Sequence, residues 1–128
     1  MAQSVRLIVP ITFLRVVRFP IMNDAEGRAV WRYRLRGYRI LGTNVWAGGY
    51  EIDVIARRGR ALVFCEVKSK SGPSFGDPLE MVTAEKIRRI RRAAGVWLAA
   101  NRSHRGCRVS FDVVVERSGK LQRIAQAF

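Results

Sequence analysis

At 128 residues the chain is long enough to bury one core unaided, and its 48% hydrophobic and 27% charged residues exclude a disordered tail. Its 24 Lys and Arg against 10 Asp and Glu give a formal charge of +14, an excess that repels itself unless a polyanion neutralises it. Nucleic acid is the usual polyanion, and plain solubility or a charged membrane surface is the blander reading.

The first 22 residues, MAQSVRLIVPITFLRVVRFPIM, contain three arginines and no acid. Pro10 interrupts their apolar part and no A-x-A-like cleavage site follows, so residues 1–22 read as an extra basic and apolar arm rather than a leader. Residues 23–128 then form the folded domain. No run reaches the roughly eighteen apolar residues of a membrane span. Cys65 and Cys107 fit no zinc spacing, and Cys65 reads as an apolar filler in a reducing, cytoplasmic compartment.

Residues 25–36 (AEGRAVWRYRLR) predict a helix with Ala25, Ala29 and Tyr33 on one face, Asp24 as N-cap and Gly37 as a left-handed C-terminal stop. Three strands follow: residues 38–46 (YRILGTNVW), 51–56 (EIDVIA) and 61–68 (ALVFCEVK), broken by Gly48-Gly49 and by the turn RRGR. SKSGPSFGDP is loop by composition. A long helix comes next, with Thr83 as N-cap, Glu85 in its first turn, and Ile87, Ile90, Ala94, Trp97 and Leu98 as an apolar stripe. Lys86, Arg88, Arg89, Arg91 and Arg92 cover much of its remaining surface. Such a run is usually a solvated face, but five cations without an interleaved acid favour phosphate contact. A loop around Gly106 leads to a strand at residues 109–116 (VSFDVVVE), and Ser118-Gly119 turns the chain into the short strand LQRI. The order α-β-β-β-α-β-β describes one α/β domain with a mixed sheet flanked by helices.

Three of the few acids, Glu51, Asp53 and Glu66, fall in strands that otherwise look buried. With Arg58-Gly59 at the tip of a two-residue hairpin, Asp53 lies opposite Phe64 and Glu51 opposite Glu66. Glu51, Asp53, Glu66 and Lys68 then project from one face. Opposed buried carboxylates need compensation, either from arginines or from a cation. Mg²⁺ suits such a pair, since it takes one or two carboxylates and completes its shell with water and substrate phosphate. Asp112, inside an apolar strand, reads equally as a buried acid paired with an arginine or as a support behind the site. His104 reads as a surface residue. Trp97 reads as core, whereas Trp31 and Trp46 are free to stack on bases. No serine has a base at a usable spacing, so serine nucleophile chemistry has no support.

An acid on one strand followed by E-x-K on its hairpin partner resembles the PD-(D/E)xK nuclease superfamily, with its restriction-endonuclease-like α-β-β-β-α-β core. The chain is more closely similar to the bacterial YraN-like family of candidate endonucleases, distantly similar to archaeal Holliday-junction resolvases. The likeness rests on GYRIL (37–41), Asn44, EIDVIA (51–56), VFCEVKSK (63–70), FGDPLEMVTAEK (75–86) and FDVV (111–114). It implies Asp53 and Glu66 as metal-binding acids, Lys68 as the active-site lysine, Glu26 as a glutamate near the same site, and Glu51 as the first acid of its block. Tyr50 stands where the family usually has glycine and Trp46 where an arginine is common, which bears on substrate choice.

The function expected is a Mg²⁺- or Mn²⁺-dependent deoxyribonuclease. It would hydrolyse phosphodiester bonds of DNA, including branched or structured DNA. Asp53, Glu66, Lys68 and Glu26 would be catalytic, Asp53, Glu66 and Glu51 would hold the metal, and the basic helix would bind the backbone. The archaeal relatives suggest a homodimer. The alternatives are a non-catalytic nucleic-acid-binding module and an interaction subunit that needs a protein partner. A nuclease-like fold is compatible with all three.

Overall fold

The computed structural model describes residues 24–70 and 82–128. The basic arm of residues 1–22 and most of the loop beginning at Ser71 lie outside them.

Helix α1 (Ala25–Leu35) starts where the sequence places it. The Asp24 carboxylate accepts a hydrogen bond from the Gly27 N–H at 2.6 Å. Its end is a Schellman motif: Gly37 N–H donates to the Arg34 carbonyl and Tyr38 N–H to the Tyr33 carbonyl, each at 3.0 Å. Gly37 has φ 89°, a value that glycine adopts without steric cost.

Strands β1 (Arg39–Ala47), β2 (Tyr50–Arg58) and β3 (Ala61–Lys70) form an antiparallel meander. Ser69 and Lys70, read as loop from composition, extend β3. The β1–β2 turn is Gly48-Gly49, with φ of 58° and 80°, as a type I′ hairpin requires. Gly48 also faces helix α2 (Ala84–Ala100). A Cβ at Gly48 would lie 3.1–3.4 Å from Val96, Ala93 and the Arg92 carbonyl, so glycine sets how closely the hairpin approaches the helix.

The Thr83 side chain caps α2 by accepting from the Lys86 N–H at 3.2 Å. The loop after α2 contains a short 3₁₀ turn, Arg102–His104. Strand β4 (Arg108–Arg117) then lies parallel to β3, and β5 (Lys120–Ile124) pairs antiparallel with β4 around Ser118-Gly119. The sheet runs β1-β2-β3-β4-β5, and the β3–α2–β4 crossover makes it mixed. The α-β-β-β-α-β core flanked by helices stands as expected.

One apolar cluster joins Ala29, Val30 and Tyr33 of α1 to Val54, Ala56, Val63, Cys65 and Val114. A second joins Ala93 and Ala94 of α2 to Ile52, Ile55, Leu62 and Phe64, with Trp97, Leu98 and Phe111 partly buried against it. Ala93, outside the predicted stripe, packs beside Ala94 in this second cluster. No helix among the described residues is long and apolar enough to cross a membrane.

Asp112 is fully buried beneath α1 and fully engaged. It accepts from Tyr33 Oη, Ser110 Oγ and Arg123 Nε at 2.7 Å each and from the Gln126 N–H at 3.2 Å. Of its two readings, the structure gives the acid paired with an arginine. Arg28 clasps Glu116 through Nε and, at 2.6 Å, through Nη2, which ties α1 to β4.

Candidate metal and phosphate site

The site forms where β2 begins, β3 ends and α2 starts. Trp46, Tyr50, Glu51, Asp53, Glu66, Lys68 and Lys86 line one open cavity of about 280 Å³. Asp53, Glu66 and Lys68 therefore share a cleft, as expected from the sequence.

The hairpin register differs from the expected one. Arg58 pairs with Ala61 and Val54 with Cys65, so the tip is Gly59-Arg60, not Arg58-Gly59. Gly59 has φ 61° at the first tip position, where a type II′ turn demands glycine. Phe64 pairs with Ile55, so it does not face Asp53, and the ladder ends at Val54–Cys65, short of Glu51 and Glu66. Glu51 lines the cavity together with Asp53 and Glu66. Moving a two-residue tip by one position changes partners but preserves faces along the ladder.

The alternation itself breaks at Asp53. Ile52 and Ile55 lie three positions apart yet pack in the same cluster. Across the β1–β2 ladder, Val45 pairs with Ile52 and Thr43 with Val54, which leaves Asn44 beside Asp53. Asn44 has φ 50°, the left-handed region that asparagine tolerates better than most residues. Its Nδ2 donates to Glu26 Oε1 at 3.0 Å, and this bond brings the first helix's glutamate to the margin of the site.

Asp53 Oδ2 accepts from the Val67 N–H of β3 at 2.8 Å, which fixes the carboxylate. Burial pushes its pKa from 3.8 up to about 7, against the Val67 hydrogen bond and with help from the Glu66 and Glu26 charges. Glu66 is 7% exposed. Its Oε2 lies 2.8 Å from Lys68 Nζ and 4.0 Å from Lys86 Nζ. Burial lowers the Lys68 pKa, but the bonds to Glu66 and Lys86 and the Glu66 charge together outweigh it and hold that ammonium above its ordinary value. Lys86 moves the other way, lowered first by its contact with Lys68 and then by burial. Burial and the Glu66 carboxylate raise the Tyr50 phenol. Among the described residues no arginine pairs with either acid, so the arginine-compensated cluster is not the one that forms.

The donor set fits a hard divalent cation. It offers two anchored carboxylates, one disfavoured in its charged form chiefly by burial, in an open cleft with room for water and phosphate. No group of three or more Asp, Glu, His or Cys side chains is gathered to hold an ion among the described residues. Any ion here would therefore rely on this pair and on ligands from outside.

Lys86 escaped the sequence reading, which put it on the basic face of α2. The available signal was its place in the first turn after the loop from β3, which aims it back at that strand's end. The other four cations stay on that face: Arg88, Arg89, Arg91 and Arg92, with Glu85, line an open cavity of about 520 Å³. Arg89 pairs with Glu85 at 2.6 Å and Arg91 lies over the Phe111 ring at 5.7 Å. Trp46, 69% exposed, stands at the cleft. His104 is half-buried and stacks on Trp97, with ring centroids 5.3 Å apart.

Residues 25–115 match the sequence profile of Uncharacterised protein family UPF0102, which is the YraN-like family. Among curated relatives, a UPF0102 protein of Mycolicibacterium vanbaalenii is 48% identical over 85 residues, 66% of this chain and 69% of the relative. One of Geobacter metallireducens is 39% identical over 103 residues, 80% of this chain and 84% of the relative. One of Mycobacterium sp. (strain KMS) is 41% identical over 119 residues, covering 91% and 85%.

Proposed function

The chain belongs to Uncharacterised protein family UPF0102, and for it we propose a metal-dependent endonuclease acting on the phosphodiester backbone of DNA, branched or structured DNA included. One observation carries this reading. In a chain of charge +14, three carboxylates and two lysines line one open cleft, and the buried acid Asp53 forms no ion pair among the described residues. Purely structural acids in so basic a protein would be expected to recruit arginine, as Asp112 and Glu116 do.

Asp53 and Glu66 would hold Mg²⁺ or Mn²⁺, with Glu51 and Glu26 at the margin. When bound, the ion supplies charge neutralisation at the phosphoryl oxygens and acidifies a water molecule. The chain's own groups do the rest. Asp53 is presented with one oxygen fixed by the Val67 N–H and the other available. Lys68 pairs with Glu66 in the free protein and exchanges that partner for substrate phosphate or the attacking water. Lys86, whose pKa its contact with Lys68 and burial lower, stands beside Lys68 at the cleft wall, where it can meet substrate phosphate. The arginines of α2 hold the backbone outside the cleft.

A non-catalytic binding module is favoured by one observation, that Lys68 and Lys86 already give Glu66 a counter-charge without any ion. Incubating the pure protein with linear, flapped and four-way DNA in Mg²⁺, Mn²⁺ or EDTA separates the two. Metal-dependent nicking supports the nuclease. Tight binding with no nicking of any substrate in either metal overturns it.

A further inference from the structure

The end of the sheet farthest from the acids carries a second concentration of charge. The β2–β3 tip, the start of β1 and the start of β4 converge there with the end of α1. Arg39 pairs with Arg57 across β1 and β2. The Arg108 N–H donates to the Arg60 carbonyl at 2.7 Å. Arg39, Arg57 and Arg58 line an open cavity of about 420 Å³ with Gly37 and Gly59. Arg39, Arg58, Arg60 and Arg108 are exposed.

What these guanidiniums bond to is informative. Among the described residues the ion pairs involve Glu116, Glu66, Glu85 and Asp112, and none reaches this pole. Arg58 Nη1 donates instead to the Arg36 carbonyl at 2.7 Å, Arg60 Nη2 to the Gly106 carbonyl at 3.0 Å, and Arg57 Nε to the Gly59 carbonyl at 2.8 Å. Arg57 Nη1 also lies 2.8 Å from Nδ1 of His104, an imidazole whose pKa burial and the Arg57 and Arg39 charges lower. A carbonyl or a neutral ring orients a guanidinium without cancelling its charge. The pole therefore presents aimed, uncompensated forks, and the planar fork matches phosphate oxygens.

We propose that this pole is a second phosphate-binding surface, which holds the backbone of a DNA arm running on from the acidic cleft. From Asp53 to the tip is five or six residues of strand, roughly 17–20 Å at about 3.3 Å each. At about 3.4 Å per nucleotide step, that distance is about five or six base pairs. An arm of that length or more spans cleft and pole, and a shorter one does not. The inference takes from the proposed function only the place where DNA enters. It needs no turnover.

The test is binding in EDTA, where cleavage cannot intervene. A 30-base-pair duplex and a hairpin with a four-base-pair stem, too short to reach from the cleft to the pole, are titrated at several salt concentrations. The proteins are wild type, Arg58→Ala/Arg60→Ala and, as a second pair less coupled to the turn, Arg39→Ala/Arg108→Ala. For the long duplex each lost contact should lower the log–log salt slope by about 0.9, equivalent to roughly eight-fold in affinity between 1 M and 0.1 M salt. For the short hairpin both variants should bind as wild type does. An unchanged slope on the long duplex in both variants overturns the proposal, and so does an equal loss on the short hairpin. Loss of binding to phosphatidylserine vesicles with DNA affinity intact also overturns it, and assigns the pole to a membrane surface. Arg88→Glu/Arg92→Glu, measured in parallel, keeps the two readings apart. If that pair alone controls the slope, the pole is excluded while the DNA-binding helix stands.

Discussion

Asp53→Asn isolates the electrostatic cost of the cleft, because asparagine keeps the shape and its side-chain oxygen can still accept from the Val67 N–H. Burial, opposed by that hydrogen bond and aided by the Glu66 and Glu26 charges, raises the folded-state pKa of Asp53 from 3.8 to about 7. Between those values the folded chain holds a proton that the unfolded chain has lost. Stability therefore falls as pH rises through this window, and the loss is complete above it. About three pH units at about 1.4 kcal/mol each set a ceiling near 4 kcal/mol. Residual solvent contact reduces this, so we expect Asp53→Asn to stabilise the protein by about 1–3 kcal/mol at pH 8. The gain should shrink steadily toward pH 4. Urea unfolding from pH 4 to 8 in EDTA measures it. Mg²⁺ at ten times its dissociation constant should then restore about 1.4 kcal/mol to the wild type and little to the variant. A pH-independent difference, or a variant less stable than wild type at pH 8, would refute the reasoning.

Three further outcomes are expected. Glu66→Ala and Lys68→Ala should abolish metal-dependent nicking while DNA affinity in EDTA stays within a few fold, since phosphate contacts elsewhere dominate binding; wild-type cleavage rates in either variant would remove that residue from the chemistry. Asp112→Ala leaves Arg123, Tyr33 and Ser110 without their shared acceptor, at a cost of about 3–5 kcal/mol, seen as a melting temperature roughly 10–15 °C lower. Gly48→Ala combines a φ of 58° with contacts of 3.1–3.4 Å against α2, and should cost about 2 kcal/mol in urea, whereas Gly49→Ala, whose Cβ meets nothing within 4 Å, should cost only the backbone strain of about 1 kcal/mol.

The caps, the element order and the shared face of Asp53, Glu66 and Lys68 were legible because each depends on local chemistry. Asp24 and Thr83 are good caps wherever a helix follows them, and Gly37 stops one by its own freedom of φ. The tip of RRGR was not legible. Glycine fits the second position of one two-residue turn and the first position of another, and only the ladder decides between them. The break in alternation at Asp53 was hidden for a different reason. It accompanies the left-handed Asn44 on the neighbouring strand, so no pattern within β2 announces it. Lys86 was misplaced because helical spacing shows which residues share a face but not where the first turn points. That is set by how α2 packs on the sheet, with Gly48 as one point of close approach.

The mixed sheet also imposes an order of assembly. β1, β2 and β3 are joined by two-residue turns, and their ladders close loops of only a few residues. The parallel ladder begins with Ala61 against Arg108, across a span that must first include α2. Loop-closure entropy favours the meander as the early structure and the crossover as the late one. Asp53, Glu66 and Lys68 all belong to the early part, whereas Lys86 and the α2 arginines arrive with the late part. On the ribosome the carboxylates are likewise translated first, so the anionic half of the cleft can form before its cationic wall docks. In that interval Lys68 is the neutralising partner that the meander itself supplies, and its place two residues from Glu66 is what makes it available so early.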